Sequence, residues 1–171
     1  RIAAIAEDQK VKLEFYWPVY VLLCDSLVTR ETIRTHKELI AAHPEEDEQP
    51  RLKLINHLER EELMPIHDRI LEIIKERTSV ARPDEKFLAL LLKYMAHVKV
   101  FKAIRKGFSV RPDWTPSKLS KPFPDDFLRE VERRALELQC DYNKTLGIRT
   151  MGHEHRDRFL RAFSQRDPGA D

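Results

Sequence analysis

Apolar residues recur every three or four positions along nearly the whole chain. Nowhere do they alternate with polar ones over four or more residues between turn signals. The first spacing lines one face of a helix, and the missing alternation would have marked a half-buried strand. A helix with one apolar stripe must cover it with another helix. The expectation is therefore an all-α fold, an antiparallel bundle of about five helices.

The expected segments follow from the stripes. A first helix covers about 6–28, with Val11, Phe15, Val19 and Leu22 in line and Pro18 inside. A second covers about 30–42, with Thr29 or Thr32 as its N-cap. PEEDEQP (Pro44–Pro50) breaks the pattern. A third runs over about 51–77, from Leu52 through Leu63 and Ile70. Proline removes a backbone hydrogen bond and crowds the preceding turn, so kinks are expected at Pro18 and Pro65. The fourth opens with Pro83 at its first position, over Asp84 and Glu85, and runs to about Lys106 before Gly107. The Pro-rich segment 107–124 reads as a long surface loop, and 125–144 as the fifth helix. Residues 1–147 are expected to form one domain, with 148–171 a tail, partly helical or frayed.

Six-residue FYWPVY (Phe15–Tyr20) places four aromatics around a proline, apolar over most of the helix circumference. That pattern points to the interior of a domain. A sharper alternative is a partner groove with Trp17 and Tyr20 at its rim, because Trp and Tyr are enriched among interface hot spots, and Trp114 in the Pro-rich loop is a further candidate partner contact.

Two histidines stand out. Counting outward from the turn near 80–81, His67 should face about Tyr94 and His97 about Met64. The two imidazoles are then offset by roughly one helical turn, ~5 Å, with Asp68 close by. A pH-responsive pair or a metal or small-ligand site is one reading. Two partly buried, hydrogen-bonded core histidines is the other. A metal needs three or four ligands, and a di-iron bundle needs Glu three residues before each His. Met64 and Tyr94 hold those positions. HEH at 153–155 has i,i+2 spacing, which no helix face shares.

Net charge is only +2, low for a general nucleic-acid binder. It is unevenly spread: 99–122 holds seven basic residues and one acidic. Lys99, Lys102, Arg105, Lys106 and Arg111 are candidates for an anionic surface, or a solvated helix face. Cys24 and Cys140 match no zinc or secreted disulfide pattern. No nucleophile elbow, P-loop, HExxH or dinucleotide fingerprint is present.

The expectation is a non-catalytic interaction or regulatory module without a cofactor, with a protein partner or self-association and no nucleic acid. Its expected place is the cytoplasm, or the cytoplasmic face of a membrane if an anchor lies upstream of Arg1. The alternatives are a ligand-binding sensor or enzyme at His67/His97, and an anionic-surface binder at Lys99–Lys121.

Overall fold

A computed structural model describes residues 1–108 and 122–148. All regular structure among them is helical, in the order α1 (Ile2–Ala42), α2 (Gln49–His57), a π-helical turn (Leu58–Leu63), α3 (Met64–Ala81), α4 (Glu85–Phe108) and α5 (Asp125–Thr145). Because α2, the π-turn and α3 follow without a break, the described residues form four rods, not five. The Pro-rich loop over 109–121 and the tail from 149 onward lie outside the described residues, as does HEH.

The change in number comes from α1. The two helices expected on either side of Thr29 are one helix of 41 residues, about 60 Å long at 1.5 Å per residue. Neither Gly nor Pro lies between Val28 and Ala42 to stop it. Thr29 and Thr32 do not cap anything: their hydroxyls donate back to the carbonyls of Asp25 and Val28 one turn earlier. Pro18 sits within the uninterrupted helix, on its exposed side.

Pro65 lies one residue past Met64, which follows the π-turn. There the Met64 N–H bonds the Glu59 carbonyl five residues back, so the hydrogen-bond register widens just where proline can donate nothing. α3 ends at Arg82, whose left-handed backbone (φ 45°) reverses the chain. Asp84, not Pro83, opens α4, because its carboxylate accepts the Phe87 N–H at 2.8 Å and satisfies a first-turn donor. Gly147 closes α5 at φ +68°. The Ile148 N–H reaches the Asn143 carbonyl and the Gly147 N–H reaches Lys144, the double bond of a glycine-terminated helix.

Cross-helix pairs fix the directions. Asp8 meets Arg82, Glu14 meets Arg77 and Lys37 meets Glu59, so α1 runs opposite to α2–α3. Tyr20 bonds Glu132 and Arg134 reaches Tyr16, so α5 also opposes α1. Lys93 with Asp126 and Lys86 with Glu130 set α4 against α5.

The interior between these rods is mainly aliphatic, with an aromatic seam through it. Phe15, Tyr16 and Phe87 meet edge-on or tilted, and Phe127 stacks on both Phe87 and Tyr94. Leu23, Ile70 and Val131, without exposure, and Leu91, nearly so, complete it. FYWPVY is thus interior on one side only: Phe15, Tyr16 and Val19 are buried, whereas Trp17 and Pro18 face water. A clasp of charges covers the end of this core. Arg134 lies 4.6 Å over the Phe87 ring and bonds both Asp84 and Glu130. Arg133, then Arg134, hold the Glu130 carboxyl down to about 2. No helix among the described residues is long and apolar enough to cross a membrane.

Candidate functional site

His67 follows the π-turn by four residues and points into the core, 1% exposed. Its Nδ1 is 2.8 Å from the Tyr94 hydroxyl, the residue that antiparallel counting places opposite it. The His97 ring is 6.0 Å away, and Phe101 and Phe123 stand at 5.8 and 6.5 Å. The offset histidines therefore do meet. Burial, reinforced by the neighbouring His97 and Arg30, pushes the His67 imidazole down to about 3, so it is neutral at physiological pH. Burial likewise pushes the Tyr94 phenol up.

The third candidate ligand is elsewhere. Asp68 is exposed and bound to Lys102. Among the described residues, three ligand atoms converge only at His43, Glu45 and Glu46, all exposed at the end of α1. Exposed carboxylates cluster there without further support, and the group carries no assignment.

Arg30 was not among the candidates, yet it belongs to this place. It lies on the inward stripe Val19, Leu23, Ser26, Arg30, Ile33, with spacings of four and three residues. A cation at an inward position is the signal that could have found it. Its guanidinium lies 3.5 Å over the Phe123 ring. The same ring is 5.4 Å from His97, 6.1 Å from Tyr94 and 6.5 Å from His67. Phe123 is therefore the shared wall of a cluster drawn from α1, α3, α4 and the approach to α5. Nε and Nη2 of Arg30 are buried without a hydrogen-bond partner among the described residues. Burial pulls this guanidinium below its usual range.

The basic stripe is divided. Lys99 and Lys106 are exposed on α4. Lys102 is held by Asp68, and Arg105 lies 2.5 Å from Glu59, a carboxylate buried in the π-turn that also meets Lys37. Two of the residues read as surface contacts are thus committed to neighbouring helices. Arg111 and Trp114 lie outside the described residues.

Around Trp17 the surface is apolar. Trp17 is 40% exposed, with Val21 and Val28 each at 52%. Tyr20 is half-buried, its hydroxyl donating to Glu132 at 3.1 Å and its ring 5.9 Å from Trp17. Beside them a cleft of ≈ 380 Å³ is lined by Glu14, Pro18, Arg69, Ile73 and Arg77.

No family model, curated protein or solved structure matches this chain.

Proposed function

We propose that the chain is a non-catalytic helical interaction module that pairs with a second copy of itself through the outer face of α1. In this reading the four rods close as an antiparallel bundle, bent where Pro18 and Pro65 interrupt the backbone ladder, and serve as a rigid carrier for that face.

One observation carries the reading. Trp17, Val21, Cys24 and Val28 fall within about 60° of one another at 100° per residue, opposite the inward stripe. Of these four, Trp17, Val21 and Val28 are exposed and Cys24 is partly covered. A helix covered on one side needs a polar outer side, and α1 has an apolar one here. The spacing of the four residues (four, three, four) reads the same from either end. Two copies of α1 laid antiparallel about a two-fold axis would set Trp17 against Val28 and Val21 against Cys24, the seam of a short coiled-coil pair. So few side chains bury less than the ~800 Å² per partner of a standard interface, which makes the contact reversible on dilution.

Static light scattering over about a hundredfold concentration range tests this. The expected molar mass rises from that of the 20.3 kDa chain toward twice that value. Val21→Lys, at an exposed position, should hold the monomer value throughout while keeping its helical signal. A wild-type chain that stays monomeric, or a Val21→Lys chain that associates like wild type, overturns the proposal.

A further inference from the structure

We propose that the outer row of α4, beside α3, is a docking surface for an amphipathic helix of a partner protein, apolar over one half of its length and acidic over the other. The inference stands apart from self-pairing, because it uses α4 and not the outer face of α1.

The row follows from spacing. Leu88, Leu92, Met95, Lys99, Lys102 and Lys106 succeed one another at intervals of four and three residues, within about 80° of one another at 100° per residue. It is separate from the inward stripe, in which Phe87, Leu91, Tyr94 and Val98 are buried. A helix with one covered stripe needs a polar outer side. On α4 the outer row begins apolar instead: Leu88 and Leu92 are 44% and 58% exposed, and Met95 is only partly covered by the core. The second half of the same row is basic. Lys102 reaches Asp68 of α3, which sets the row along the seam between the two helices. Lys99 and Lys106 are exposed and enter no ion pair among the described residues.

Length and charge select the occupant. From Leu88 to Lys106 the row spans about 27 Å at 1.5 Å per residue, five turns of helix. A second helix laid along it covers the leucines with its apolar half and brings its acids to Lys99 and Lys106. The opposite orientation would set acids on leucines, so the polarity of the row fixes the direction of docking. An anionic membrane is the poorer fit, because it asks for cations flanking the apolar residues. Here exposed Glu85 lies one turn before Leu88, and the unpaired lysines lie beyond the end of the leucine pair.

The test is fluorescence anisotropy with a labelled synthetic helix as long as the row, carrying leucines at 3–4 spacing in one half and glutamates in the other. The wild-type chain should bind it saturably, and more weakly as salt rises. Leu92→Glu, at an exposed position, should keep the helical signal and melting temperature and bind at least about tenfold more weakly. A chain with both Lys99→Glu and Lys106→Glu should instead favour a peptide with lysines in place of its glutamates. Val21→Lys should bind as wild type does, which separates this surface from self-pairing. A wild-type chain that ignores the glutamate peptide, or binds the lysine peptide equally well, overturns the proposal. So does a Leu92→Glu chain of unchanged affinity, or a Val21→Lys chain that has lost it. Wild type that ignores the peptide but sediments with vesicles of phosphatidylcholine and phosphatidylserine would assign the row to lipid, and overturns it too.

Discussion

Replacing Phe15 with alanine is expected to lower the stability of the chain by about 3–5 kcal/mol, the range for deleting a buried aromatic side chain. The reason is its position. Phe15 has no exposed surface and meets Tyr16 and Phe87 edge-on, at 5.1 and 6.3 Å between ring centroids. It belongs to α1 and touches α4, and Phe87 carries the contact on to Phe127 of α5. A cavity at Phe15 therefore loosens three helices at once, and rigid rods close poorly around it. Trp17, two residues along, is a larger side chain but half in water. Trp17→Ala should cost about 1 kcal/mol or less, in keeping with changes at exposed positions. Urea unfolding of the two variants decides the matter. Equal losses would mean that the interior and exterior of FYWPVY have been assigned wrongly.

The contrast shows what the sequence carries and where it stops. The stripes of α3, α4 and α5 were legible because a 3–4 spacing survives any detail of packing. His67 opposite Tyr94 was legible because a short turn fixes the register of two antiparallel helices. The junction at Thr29 was misread because a hydroxyl that can cap a helix can equally bond its own preceding turn, and nothing local separates the two. Asp84 was passed over for Pro83 because proline is favoured at a first helical position, whereas the Asp84 carboxylate that accepts the Phe87 N–H marks the start here. Arg105 with Glu59, Lys102 with Asp68, and Arg30 over Phe123 join residues 34 to 93 positions apart. Such pairs depend on how helices rotate about their axes, which periodicity alone leaves open. Which side of FYWPVY is exposed was open for a related reason: the stretch looks apolar all round until the packed helices show which side they cover.

Acidification should destabilise the chain before its carboxylates begin to titrate. His67 is buried neutral and held down to about 3 in the folded chain, while in the unfolded chain it takes a proton near 6.5. Below pH 6.5 the unfolded state therefore binds more protons, and stability falls as pH falls, by up to ~1.4 kcal/mol per unit for one such group. The loss continues to about pH 3 and is absent above 6.5. Glu130 contributes in the same direction only later, from about 4.5 down to about 2, because its depressed carboxyl stays charged until then. The groups around His67 reinforce the resistance to protonation: Arg30 from α1, and His97 and Lys102 from α4, outweigh Asp68. The expected loss from His67 between pH 6.5 and 4.5 is about 2 kcal/mol. His67→Phe keeps the ring volume and leaves the Tyr94 hydroxyl without its imidazole, so it should be less stable at neutral pH but flatter across this window. Urea midpoints at several pH values measure both slopes. Equal slopes in the two chains would assign the pH dependence to other groups.

The four rods α1, α2–α3, α4 and α5 share one interior, and native-state hydrogen exchange tests that most directly. The amides of Tyr16, Ile70, Tyr94 and Val131, one from each of α1, α3, α4 and α5, should all exchange through the same opening, with a free energy equal to that of global unfolding. Exchange of the α5 or α4 amide at a much lower free energy than that of α1 would show helices opening separately, and would contradict a single shared core.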